Sequence, residues 1–126
     1  MKRFLLAALA ACIALPAAAQ SVSKTRASNV VSSGVVLKTG TTNLAGLNVV
    51  TGASAGYVML FDAATVPADG AVTPLRCMPV AANTGIDLNF RAAPLRFDVG
   101  AVVVFSTTGC YSKTASATAY LAGDIQ

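Results

Sequence analysis

Histidine, tryptophan and glutamate are all missing from this chain of 126 residues, and each absence closes a field of chemistry. Without imidazole there is no Ser–His or Cys–His nucleophile, no side chain titrating near neutrality at its ordinary pKa, and no use of the commonest metal ligand. Without glutamate the carboxylates reduce to five aspartates: Asp62, Asp69, Asp87, Asp98 and Asp124. Charged residues are also scarce, at 11%, and show no clustered Lys and Arg of the kind that nucleic-acid binding requires. Phosphate loops, dinucleotide fingerprints, zinc spacings and repeats of fixed period are absent as well. A chain of this length is one domain, large enough for a real core and too small for two.

What is present begins with a leader. Met1-Lys2-Arg3 is a positive cap, residues 4–15 are an apolar run, Pro16 breaks it, and Ala17-Ala18-Ala19 supplies small residues before Gln20. This is the layout of a secretory signal peptide cleaved after Ala19. A run of twelve residues rises only about 18 Å as helix, too short for a hydrocarbon core of about 30 Å. Leu9-Ala10-Ala11-Cys12 has the form of a lipobox, which would make Cys12 a lipid anchor. The sequence stays apolar through Ile13, Ala14 and Leu15, which favours ordinary cleavage. The expectation is an exported protein, periplasmic or extracellular, with no membrane span in the mature chain. Losing Lys2 and Arg3 leaves seven basic against five acidic side chains, a mature charge of +2.

Cleavage also removes one of three cysteines. Cys77 and Cys110 remain, an even pair in an exported chain, and the expectation is one disulfide. With no histidine to activate either thiol, a catalytic cysteine is the poorer reading, and two lone cysteines make a poor metal site.

Residues 20–33 read as a flexible polar arm and residues 34–126 as an all-β domain. Short β-branched runs recur between Gly, Pro, Asn and Asp. Tyr57-Val58-Met59-Leu60-Phe61 and Val102-Val103-Val104-Phe105 are apolar at every position, so both faces of these strands should be covered. Two such strands in so small a domain point to a second copy or a protein partner as the cover. Pro74 and Pro79 demote residues 72–80 to an edge or an irregular strand. Ile86, Leu88 and Phe90 alternate with Asp87, Asn89 and Arg91, and Leu95, Phe97 and Val99 alternate with Arg96 and Asp98. If these strands formed a hairpin, an even loop would be needed to put both apolar sets on one face. A four-residue loop would set Asp87 against Asp98, which a longer loop or a crossover relieves. Residues 114–121 read as the last strand. The sum is an antiparallel β-sandwich, jelly-roll or Ig-like, of seven to eight short strands.

Candidate chemistry is thin. Ser21-Val22-Ser23-Lys24 has the spacing of penicillin-recognising enzymes, but it lies beside the cleavage point in a polar arm rather than on a buried helix. Asp87 and Asn89 share a strand face, yet two ligands are too few for calcium. Arg91 and Arg96, flanked by Phe90 and Phe97, are the nearest thing to a binding spot, suited to a glycan or an anionic surface. The expected protein is no enzyme and uses no cofactor, metal or nucleic acid.

Four phrases stand out: Gly56-Tyr57-Val58-Met59-Leu60-Phe61-Asp62-Ala63, Val66-Pro67-Ala68-Asp69-Gly70-Ala71-Val72-Thr73-Pro74, Leu95-Arg96-Phe97-Asp98-Val99-Gly100, and Phe105-Ser106-Thr107-Thr108-Gly109-Cys110. They resemble a group of small β-rich proteins from phage and prophage regions of proteobacteria, over residues 34–121. The resemblance implies a virion or surface component and assigns no residue a role. The alternatives are a subunit of a surface appendage, whose arm would complete a neighbour's sheet, and a small-ligand or glycan binder with a deep pocket lined by Tyr57, Tyr111 or Tyr120.

Overall fold

The computed structural model describes residues 23–28 and 31–126. The signal-peptide reading, with Cys12, lies outside them. Eleven strands follow one another: β1 (Lys24–Ala27), β2 (Gly34–Thr39), β3 (Thr42–Thr51), β4 (Gly56–Asp62), β5 (Gly70–Ala71), β6 (Arg76–Val80), β7 (Gly85–Asn89), β8 (Leu95–Phe97), β9 (Gly100–Ser106), β10 (Ser112–Lys113) and β11 (Ala119–Ile125). All pairings are antiparallel. Among the described residues no helix is long and apolar enough to cross a membrane.

The strands form two sheets and a short ribbon. One sheet has the order β1-β11-β3, with β7 and β8 end to end along the far side of β3; the other has the order β2-β9-β4-β6. Leu44, Leu47, Val49, Phe97, Leu121 and Ile125 of the first sheet meet Leu37, Val58, Leu60, Val103 and Phe105 of the second in one buried core. This is a β-sandwich, as the alternating and all-apolar runs require. The chain crosses between sheets at Gly40, whose φ of +79° is the left-handed backbone that glycine adopts freely.

The count of seven to eight strands is too low. The surplus comes from pieces too short to register as apolar runs: the two-residue strands β5 and β10, and β1 within the stretch read as a flexible arm. Lys24, Thr25 and Arg26 are exposed, so β1 carries no hydrophobic signature. Backbone pairing with β11 from Lys24–Ile125 to Ala27–Ala122 defines it instead. Residues 114–118 likewise lie outside the last strand, which starts at Ala119.

The β7–β8 region is not a hairpin. Both strands pair with β3, Asn89 opposite Gly46 and Leu95 opposite Leu44. Two residues of β3 are thus matched by six of its neighbour, an excess of four, and residues 91–94 bulge out of the sheet. Ala45 is an extra residue on β3, so Leu44 faces the core although Gly46 faces outward, and Leu95 opposite Leu44, with Phe97, faces the core too, where both pack. Asp87 faces Asn48, so the clash with Asp98 never arises. Val99, expected inside, is 52% exposed. The strand ends at Phe97 because the Asp62 carboxylate accepts the backbone N–H groups of Asp98 (3.1 Å), Val99 (2.7 Å) and Gly100 (3.0 Å). Those three bonds, Gly100 first, hold the Asp62 carboxyl below the usual carboxylate range.

Both faces of the four-stranded sheet are covered, as its all-apolar strands demand. The cover is the chain itself rather than a second copy. Met59, Phe61, Val102 and Val104 point away from the sandwich core and form a second cluster under Val66, Val72 and Cys77. The cover consists of residues 63–75 and 107–118, joined by the β5–β10 ribbon. It is fastened in two ways. The Cys77–Cys110 disulfide, with Cα atoms 5.6 Å apart, ties it to edge strand β6. Lys113 is buried and donates to the Asp69 carboxylate, which also accepts the Ala115 N–H at 3.0 Å. The Lys113 bond, then that of Ala115, keeps the Asp69 carboxyl below its usual range.

Candidate functional site

Among the described residues the five-stranded sheet has no such cover, and its outer face carries the polar side chains. Alternation along β11 turns Ala119, Leu121 and Ile125 inward and Tyr120, Ala122 and Asp124 outward. On β3 the outward set is Gly46, Asn48 and Val50, and on β7 it is Asp87 and Asn89. Cross-strand register assembles these into rungs. Thr25, Asp124, Gly46 and Asn89 form one rung across β1, β11, β3 and β7; Ala27, Ala122, Asn48 and Asp87 form the next.

A bulge shapes the first rung. Asp124 faces Gly46 while Ile125 faces Leu44, so Ala45 is the extra residue on β3. Phe90 N–H bonds to the Ala45 carbonyl at 2.8 Å and starts the excursion of residues 91–94 at the same place. Gly46 leaves room there: a Cβ on it would stand 3.1 Å from Asp124 Oδ2. The result is an open-sided groove of about 220 Å³ whose polar lining includes Thr25, Asn48, Asp87, Asn89, Arg91 and Asp124.

The polar side chains of the groove are tied to one another. Thr25 Oγ1 donates to Asp124 Oδ1 at 2.6 Å, and Asn48 Nδ2 donates to Asp87 Oδ1 at 2.6 Å. Asn89 Oδ1 accepts the Arg91 backbone N–H at 2.9 Å. The Arg91 guanidinium lies 3.6 Å from Asp124 Oδ2, a loose contact between exposed groups. Each bond uses one polar atom of a two-headed side chain. Asp87 Oδ2, Asn48 Oδ1 and Asn89 Nδ2 stay available while the rotamers are held.

The sequence-derived residues divide between sites. Arg91 sits at the rim of the groove. Arg96 lies in a separate hollow with Leu60, Leu75, Arg76, Leu95 and Phe97, and its Nε bonds to Asp98 Oδ1 at 2.8 Å. The two arginines line different hollows, and each has a carboxylate neighbour. Asp87 and Asn89, too few for a metal by themselves, are joined by Asn48 and Asp124 from other strands. Among the described residues no group of three or more Cys or Asp side chains is arranged to hold a metal ion.

The tyrosines are likewise apart. Tyr57 borders a wide hollow with Pro79 and Thr107, and Tyr111 stands exposed on the cover. Tyr120 lies on the same face as the groove, opposite Val50 and one rung beyond Ala122. Tyr111 and Tyr120 line none of the three hollows described. Asp124, Asn48 and Thr25 escaped sequence reasoning because nothing local marks them; Thr25 and Asp124 are 99 residues apart and meet only through the sheet. Compared with known proteins, the chain matches no family model, no curated protein and no solved structure.

Proposed function

We propose that this protein is an exported, non-catalytic binding module that presents the outer face of its five-stranded sheet to a ligand. The single observation carrying this reading is the groove at Gly46, where polar side chains from four strands converge on a face that no part of the described chain covers. Export is supported by the leader layout and by a disulfide, a bond that persists in oxidising compartments. The groove's carboxylates, Asp87 and Asp124, are each held by a neighbouring side chain, an arrangement that supports a binding role over catalysis.

The test is a binding screen on mature protein recovered from the periplasm, comparing the natural chain with Asn48→Ala and Asp87→Ala. The reading expects a ligand that the natural chain retains and both variants lose. Retention unaffected by both substitutions would place the site elsewhere.

A second reading is a virion, appendage or surface subunit, in line with the phage-region resemblance. It draws on Leu75, Val99 and Tyr111, large side chains left exposed away from the groove. Light scattering on the mature domain separates the two: a concentration-independent monomer counts against assembly.

A further inference from the structure

Resting on the reading of this groove as a ligand site, we infer that its ligand is a neutral saccharide of two or more rings, one bound in the groove through adjacent hydroxyl groups edge-on to the sheet and the next with its C–H face against Tyr120. Charge comes first. The ionised side chains at the groove are Asp87, Asp124 and Arg91. A phosphate or carboxylate ligand would meet two carboxylates, whereas a cation would meet the Arg91 guanidinium at the rim. A neutral ligand meets neither repulsion.

Hydrogen-bonding capacity comes second. The polar atoms outside the groove's own hydrogen bonds alternate in kind: Asp87 Oδ2 and Asn48 Oδ1 accept and Asn89 Nδ2 donates, while Asp124 Oδ2 and the Arg91 guanidinium, in loose contact at 3.6 Å, supply a further acceptor and donor when a ligand parts them. A hydroxyl group both donates and accepts, so neighbouring hydroxyls on a sugar ring can each give a hydrogen to a carboxylate and take one from an amide or guanidinium. Bonds from a hydroxyl to a carboxylate are charge-assisted and short, stronger than neutral pairs. A peptide strand, with its fixed spacing of N–H and C=O groups, would seek a free sheet edge instead, and the groove lies on a sheet face.

Preorganisation comes third. Thr25 and Asn48 already hold the carboxylates of Asp124 and Asp87, and the Arg91 backbone holds Asn89. The ligand therefore does not have to freeze those side chains on arrival, which lowers the entropic cost of binding. The fourth element is apolar. Tyr120 and Val50 face each other across β11 and β3, and are 37% and 46% exposed. Two residues along a strand is about 7 Å, so this shelf adjoins the rung of Asn48 and Asp87, while the rung of Asp124 and Asn89 lies as far again beyond it and is reached by a second ring of the same saccharide. At about 220 Å³ the groove takes one ring, less than a drug-sized pocket of roughly 300–1,000 Å³. Its open sides leave the rest of a longer chain free.

The experiment is a glycan array bearing neutral, N-acetylated, sialylated and phosphorylated saccharides, probed with the folded mature protein and followed by titration calorimetry on the best hit. Variants are Asp87→Asn and Asp124→Asn in the groove and Tyr120→Ala on the adjoining shelf, with Arg96→Ala in the separate hollow as control. Each variant is first matched to the natural chain by circular dichroism and melting temperature. The inference expects a neutral saccharide as the best ligand, about tenfold or more weaker for each carboxylate variant and weakened also by Tyr120→Ala, with Arg96→Ala unchanged. A sialylated or phosphorylated ligand that still depends on Asp87 and Asp124 overturns the saccharide class proposed here and leaves the groove reading standing. Saccharide binding that ignores the groove variants but falls with Arg96→Ala overturns both. An array with no retained saccharide overturns the inference, and the screen with Asn48→Ala and Asp87→Ala then decides the groove reading separately.

Discussion

The two outer faces of this sandwich are built from opposite materials. Behind β4 and β9 lie Met59, Phe61, Val102 and Val104, sealed by a cover that the same chain supplies. Behind β3, β7 and β11 lie Asn48, Asp87, Asn89 and Asp124, which nothing in the described chain covers. The difference teaches that a face is closed or open according to what its strands put there. Burying the apolar set removes it from water at roughly 25 cal/mol per Å². The polar set is already hydrogen-bonded and solvated, so a cover would gain little. The chain places its disulfide and its buried lysine on the face where sealing is worth most, and no described residue covers the other.

Substitutions can break this contrast. The largest effect is expected from the disulfide. A closed loop of about 34 residues contributes roughly 3–4 kcal/mol on chain-entropy grounds, so Cys77→Ala with Cys110→Ala should lower the melting temperature by more than about 10 °C. The loss should be local as well as global. Met59 is fully buried beneath the cover, and peroxide followed by peptide mass spectrometry should find it oxidised faster in the double variant than in the natural chain. Unchanged Met59 protection would mean that the cover holds without its tether.

The buried lysine comes next. Lys113→Ala removes about three buried methylenes, a loss of about 2 kcal/mol read as a shift in urea midpoint. Lys113→Met keeps most of that stem and loses only the ion pair with Asp69, so it should fall between the natural chain and Lys113→Ala.

Acid sharpens the comparison from the edge of the sandwich. The Asp62 carboxyl is held below its ordinary value by the N–H groups of Gly100, Val99 and Asp98. A carboxyl depressed in the folded state contributes stability that is fully present above its unfolded pKa, near 3.9, and is lost as pH falls through the lower folded value. Stability should therefore drop below about pH 4. Asp62→Asn, measured by urea unfolding across pH 2–7, should be less stable at neutral pH and show a shallower acid slope. An identical slope would remove Asp62 from this account.

The smallest effects belong to the open face. Asn48→Ala and Tyr120→Ala should each change stability by no more than about 0.5 kcal/mol, as surface substitutions do. Their consequence is expected in binding alone. If either proved strongly destabilising, the face would be a structural layer like its opposite.

Much of this architecture is legible in the sequence, for identifiable reasons. The all-apolar runs of β4 and β9 announce two-sided burial because both sets of alternating side chains must leave water. What covers them does not show, because the cover is made of two-residue strands and turns without periodicity. The cysteine pair is legible by counting. The inward set is legible strand by strand, Ile86, Leu88 and Phe90 in one and Leu95 and Phe97 in the next, by alternation alone. Its partner strand is not, because pairing with β3 spans about forty residues. Val99 breaks the alternation because a side chain in another strand, Asp62, captures the backbone there. The groove is the least legible feature. Arg91, Asp87 and Asn89 are visible as an exposed strand face, but Asp124, Asn48 and Thr25 join them only through the register of four strands and the space left at Gly46.

The claim that one face is sealed and the other receives the ligand can be tested in a single titration. Amide chemical shifts of the isotope-labelled mature protein should be followed while the best saccharide from the array is added. The account predicts saturable shifts at Thr25, Gly46, Asn48, Asp87, Asn89, Ala122 and Asp124, with residues 63–75 and 107–118 unmoved. Shifts concentrated in the cover, with the residues around Gly46 silent, would contradict it.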